Sequence, residues 1–102
     1  MKKTIFYIGL NDKETKAQKI STLEAADIIN RLTLQYYGGA TISNARGIYT
    51  HEDGRVVCEE TIRVEVLDAS EEKNRALAED LKRVLNQESI LVESQSVNFD
   101  FV

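Results

Sequence analysis

The chain contains no proline in 102 residues, where an average chain would carry about five. That excludes a polyproline linker and removes prolyl isomerisation as a slow folding step. One cysteine, Cys58, excludes an intrachain disulfide and a cysteine-based metal cluster. The only histidine, His51, lies about seven strand residues from it, or over ~20 Å along extended chain, too far to act as its base. No apolar run approaches a membrane span. The opening MKKTIFYIGLNDKE imitates a signal peptide, but its apolar stretch, Ile5 to Leu10, is only six residues and holds Gly9. Asn11-Asp12-Lys13-Glu14 follows where small cleavage-site residues belong. The expectation is a cytoplasmic protein whose first strand starts almost at the N-terminus. Excess basic charge is also missing. A net charge of −4 argues against a dedicated nucleic-acid binder, which needs a basic face to neutralise phosphates.

What is present is the composition of one globular domain, 42% hydrophobic and 29% charged. KTIFYIGL, residues 3 to 10, reads as a strand that is apolar on both parities and therefore central. Residues 11 to 20 are a polar loop. Ser21-Thr22-Leu23-Glu24 is a capping box, and Ala25, Ile28, Ile29, Leu32 and Tyr36 follow on one helical face. Of Tyr36 and Tyr37, one ring is expected in the core and one at its rim. Gly38-Gly39 is expected to end the helix in the left-handed conformation.

Residues 40 to 50 and 55 to 67 read as two strands turned at Asp53-Gly54. Asp68 or Ser70 caps a second helix over 71 to 86, with Leu77, Leu81, Val84 and Leu85 on its inner face. Acidic Glu71 and Glu72 near its start and basic Lys82 and Arg83 near its end suit the helix dipole. Residues 89 to 101 form a last strand whose apolar parity switches between Val92 and Val97, which suggests a bulge or bend. The order strand, helix, strand, strand, helix, strand predicts a ferredoxin-like βαββαβ α+β sandwich. Its four-stranded antiparallel sheet carries both helices on one face, in a single domain over 1–102.

Within VVCEETIRVEV, Val56, Cys58, Ile62, Val64 and Val66 share one parity, and so does Glu60. Cys58 is therefore expected as a small buried residue. Glu60 asks why a carboxylate points toward the core, where an ionised group must be paired or hydrogen-bonded. Three readings stay open. Glu60 lies past the helices and is wetted, or it is a buried structural acceptor, or it lines a ligand pocket with a raised pKa. With Asp53-Gly54 as a two-residue turn, cross-strand partners sum to 107. Gly47 then faces Glu60, Tyr49 lies diagonal to it, and the missing side chain at Gly47 leaves room. Arg46, Glu59, Arg63 and Glu65 would form a charge ladder on the other face. Ile5 and Tyr7, with Ile42, Ile48 and Val57, would put apolar area on that open face, which suggests a face-to-face dimer.

GGATISNARGIYTHEDGRVVCEE, with NQESILVE near the end, is similar to a family of small bacterial proteins known only as a domain of unknown function. The matching motifs are Gly39 to Thr41, the Gly-x-aromatic Gly47 and Tyr49, a third-strand glutamate (Glu59 or Glu60), and Gln87 to Leu91. The resemblance spans residues 5 to 101 and implies the same fold, but no established activity. It adds Gln87, Glu88 and Ser89 to the candidate residues, although a polar Gln-Glu-Ser equally ties off a helix C-terminus. Many members carry an export signal, which is not read here.

No acid pair, metal spacing or Ser/His/Asp set stands out, and neither cofactor nor metal is expected. The leading expectation is therefore a non-catalytic, self-associating binding or accessory module. The alternative is an enzyme of the dimeric α+β barrel type. In it Glu60 is acid or base and Tyr49 a hydrogen-bond donor, in a small-molecule pocket between helices and sheet. No membrane partner is expected.

Overall fold

The computed structural model describes all of residues 1–102. Its elements are β1 (Lys2–Gly9), α1 (Thr22–Tyr36), β2 (Thr41–Thr50), β3 (Val56–Leu67), α2 (Glu71–Val84) and β4 (Leu91–Ser96). The sheet order is β2-β3-β1-β4, with every neighbouring pair antiparallel. As its two-sided apolarity predicts, β1 is central. Phe6, Ile8 and Leu10 meet Ile62, Val64 and Val66 of β3, and Ala25, Ile29, Leu77 and Leu81 of the two helices close the core above them.

Both helices start where their caps predict. The Ser21 hydroxyl accepts from the Glu24 N–H at 3.1 Å, and the Ser70 hydroxyl from the Lys73 N–H at 3.2 Å. Tyr37 is the core ring, its hydroxyl donating to Asn74 at 2.5 Å. Tyr36 is the rim ring. Its hydroxyl donates to Asp80, which raises the Tyr36 pKa and ties α1 to α2.

The end of α1 differs from expectation, whereas α2 closes at Asn86, the last residue expected for the second helix. α1 stops at Tyr37 in extended backbone, and neither Gly38 nor Gly39 is left-handed. α2 instead ends through Asn86, with φ 50°, and Gln87 N–H reaches back to the Lys82 carbonyl at 2.9 Å. That is a Schellman closure with asparagine in the place glycine usually takes. The last strand stops at Ser96. The parity switch marks its end rather than a bulge, and Phe99 and Phe101 pack edge to face on one another beyond it.

The hairpin carries the main correction. Cross-strand partners sum to 106, not 107, so Arg46 faces Glu60 and Gly47 faces Glu59. His51 N–H bonds the Arg55 carbonyl and Gly54 N–H the His51 carbonyl, enclosing a three-residue loop with Gly54 at φ 87°. Asp-Gly here supplies the left-handed position of a longer loop, not a two-residue turn. A one-residue slip exchanges the faces. Tyr49, Gly47 and Ala45 thus lie on the face away from the helices, while Arg46, Ile42 and Ile48 lie on the helix side.

The open face is accordingly more polar than expected. Lys3, Glu65 and Arg63 form an ion-pair ladder (3.4 and 3.0 Å). Arg63 lies over the Tyr7 ring, 5.8 Å from its centroid, and its pKa is raised first by Tyr7 and then by Glu65. Ile5, only 2% exposed, lies between Glu65 and Glu93 in the sheet register.

The β1–α1 loop is organised by Asp12. Its carboxylate accepts from Asn86 Nδ2 at 2.7 Å, from the backbone N–H groups of Glu14 and Thr15, and faces Lys19 at 3.8 Å. The Asn86 bond first, then the Thr15 N–H, hold its pKa far below the usual carboxylate range against opposing desolvation. A depressed pKa stabilises the fold above the ordinary aspartate value, and that stability is lost as pH falls toward the folded value. Asp12→Ala is therefore expected to lower the Tm at pH 7. Circular-dichroism melts should show its deficit against wild type shrinking as pH drops below about 4.

Candidate functional site

β1 pairs with β3 as far as Gly9 and Thr61, and Leu10 N–H adds a bond to the Glu60 carbonyl at 3.0 Å. From Glu60 to the loop, β2 and β3 continue alone as a two-stranded ribbon. Such a ribbon has little stability by itself, and this one exposes apolar groups on both faces. On the helix-side face Ile48 is 71% and Val56 65% exposed. Cys58, expected in the core, is also exposed here because the helices do not reach this far. The other face carries Tyr49 and Val57.

Glu60 points to the helix side, as its parity predicts, but past the helices' cover. Its side chain is 42% exposed and pairs with Arg46 at 3.1 Å. Of the three readings of this carboxylate, the wetted one matches its position. None of the cavities of ≈ 600, ≈ 270 and ≈ 310 Å³ includes it in its lining.

Glu59 has the more constrained geometry. Its carboxylate lies across the backbone of Gly9 and accepts from the Asn11 N–H at 2.8 Å. A Cβ at Gly9 would stand 2.4 Å from Glu59 Oε1. Opposite Glu59 is Gly47, whose absent side chain leaves the carboxylate flanked by two glycines. Glu59 was legible only as one of two motif alternatives. The usable signal was Gly9, since a lone glycine in a strand marks close approach of another group.

The structure does not bring the remaining candidates together. Tyr49 and Gly47 are on the face opposite Glu60. Gln87 is buried and donates to the Asn11 carbonyl at 2.8 Å, tying the end of α2 to the β1–α1 loop. Glu88 is exposed. Ser89 lines a groove of ≈ 600 Å³ at the other sheet edge. No group of three or more His, Cys, Asp or Glu side chains is placed to hold a metal ion.

No family model matches the chain, and no curated protein does. Among solved structures it is similar to a phage SAM lyase in the apo state, at 24% identity and TM-score 0.70, over 92% of this chain and 78% of that one. It is likewise similar to a phage SAM lyase in complex with S-methyl-5'-thioadenosine, at 23% and 0.68, over 92% and 79%. The periplasmic divalent cation tolerance protein CutA from Archaeoglobus fulgidus aligns at 14% and 0.57, over 97% and 87%. At these identities the likeness shows the fold. The chain is a ferredoxin-like α+β domain. No helix is long and apolar enough to cross a membrane.

Gly9→Ala would push the Glu59 carboxylate aside and leave the Asn11 N–H without its acceptor. The expected cost is about 1 kcal/mol in urea denaturation. In a Glu59→Ala background the same change is expected to be near neutral, so the double-mutant cycle should show strong non-additivity.

Proposed function

We propose that this chain is the subunit of a ring-shaped homo-oligomer that cleaves S-adenosylmethionine. The site would lie where the ribbon of one copy meets the next. The observation that carries the reading is the two-faced ribbon. One face offers Glu60 and Arg46 beside Ile48 and Val56, the other Tyr49 beside Val57, and neither face has a partner within the chain. Two different faces that fit one another make a head-to-tail contact, which closes into a ring when the rotation allows. Such a contact would bring Glu60 of one copy to Tyr49 of another, which a single copy cannot do. The likeness to a SAM lyase seen with S-methyl-5'-thioadenosine supplies the substrate class. A cytoplasmic location belongs to the same proposal.

The chemistry suits a site of this kind. The substrate's own carboxylate oxygen bonds to its Cγ while the Cγ–S bond breaks and its electron pair goes to sulfur. The products are S-methyl-5'-thioadenosine and homoserine lactone. A carboxylate and a sulfonium cancel, no proton moves, and the transition state is less charged than the bound substrate. Apolar walls that exclude water therefore favour it. Glu60 would hold the substrate's ammonium group, Arg46 would hold Glu60 in place, and the Tyr49 ring would stack on the adenine. Were Glu60 a base instead, loss of a Cβ proton would give a vinyl amino acid, whose olefinic protons NMR resolves from the lactone.

Light scattering is expected to show an oligomer that Ile48→Asp or Val56→Asp dissociates. Chromatography should detect S-methyl-5'-thioadenosine, with Glu60→Gln lowering kcat/KM about a hundredfold. Glu60→Gln and Tyr49→Ala oligomers, dissociated, mixed and reassembled, should regain activity, because about a quarter of the interfaces then carry both native side chains. An intact oligomer with no turnover would overturn the lyase reading. It would favour the second one, a non-catalytic self-associating module in which the Arg46–Glu60 ion pair is only part of the assembly surface.

A further inference from the structure

The ≈ 600 Å³ groove lies between α2 and β4, at the sheet edge opposite the ribbon. Its volume is that of a small-molecule site. Ile90, Val92 and Ala78 give it an apolar wall, and its polar floor is Thr4, Asn74 and Ser94. Thr4 is 0% and Asn74 7% exposed, so two of the three floor groups are buried, while Ser94 lies exposed on the edge strand.

These floor residues form a directed chain of hydrogen bonds. The Tyr37 hydroxyl donates to Asn74 Oδ1 at 2.5 Å, and Asn74 Nδ2 donates to Thr4 Oγ1 at 2.8 Å. An amide oxygen only accepts and an amide nitrogen only donates, so both directions are fixed. Thr4 then has its own proton to place, and Ser94 Oγ lies 3.2 Å away. Either hydroxyl of this pair can donate, and when Thr4 donates the Ser94 proton is free to turn toward the groove.

The charges nearby are unevenly matched. Arg75 faces Glu71 at 3.8 Å and Lys82 faces Glu79 at 3.0 Å. Lys2 makes no ion pair. Its ammonium donates to Ser96 Oγ at 3.0 Å, one register step from Ser94 on the same face of β4. The β4 side of the groove thus offers a hydroxyl donor and a free cation above an apolar wall.

We propose that this groove binds a small monocarboxylate with an apolar body. The carboxylate accepts from the Ser94 hydroxyl and the Lys2 ammonium, and the carbon chain lies on Ile90, Val92 and Ala78. One unpaired cation and one hydroxyl match a single negative charge and fall short of what a phosphate dianion requires.

The test is a titration of the full-length, isotope-labelled chain followed by amide NMR shifts, with hexanoate as probe. Hexylammonium reverses its charge, and acetate removes its body. Hexanoate is expected to shift Ser94, Asn74 and Ile90 saturably, with the two controls much weaker. Ser94→Ala and Lys2→Gln, both at the exposed edge, should each weaken binding about tenfold. The proposal is overturned by an absence of saturable shifts, by hexylammonium or acetate binding as tightly, or by hexanoate binding that both variants retain. The ribbon lies at the other edge of the sheet, so failure here leaves the lyase reading standing, and failure there leaves the groove standing.

Discussion

The fold is held in register by one buried carboxylate. Asp12 gathers the N–H groups of Glu14 and Thr15 and the amide of Asn86, and its own backbone bonds Ala17 and Lys16. Asn86 is the left-handed residue that ends α2, and Gln87 beside it grips the Asn11 carbonyl. Asn11, on the other side of Asp12, gives its N–H to Glu59. One loop therefore fixes the end of β1, the end of α2 and the base of the β2–β3 ribbon relative to each other.

The parts of the architecture that depend on local rules were legible in the sequence. Ser21 and Ser70 cap where their patterns say, the helical faces are those the spacing marks, and the two-sided apolarity of KTIFYIGL places β1 in the centre. What failed was a count of one. Asp53-Gly54 serves equally as a two-residue turn or as the end of a three-residue loop, and the choice depends on the bond that closes His51 to Arg55. Side chains in strands alternate with period two, so this single residue moved Tyr49 and Gly47 away from Glu60 and brought Arg46 to it. Burial of Cys58 failed for another reason. Parity tells which face a residue takes but not how far along that face the helices extend.

Glu59 and Glu60 show how neighbours in sequence can be given opposite conditions. The strand sends them to opposite faces. Glu59 lands over Gly9, where the missing Cβ admits it and a backbone donor holds it. Glu60 lands beyond the helices, where only the Arg46 side chain meets it and both are substantially exposed. The first is a fixed group of the fold. The second retains freedom to exchange its partner, as a binding group must, and an arginine paired with it at the surface contributes little to stability.

That freedom is tied to the ribbon's lack of support. Ile48, Val56 and Tyr49 are too exposed to stabilise a monomer, and a two-stranded hairpin gains little from its own hydrogen bonds. Packing against another copy would supply the missing apolar contact and at the same time dry the space around Glu60. The same burial that orders the ribbon would then lower the dielectric where charges are cancelled. Assembly and chemistry would be two consequences of one contact, and neither could be tuned without the other.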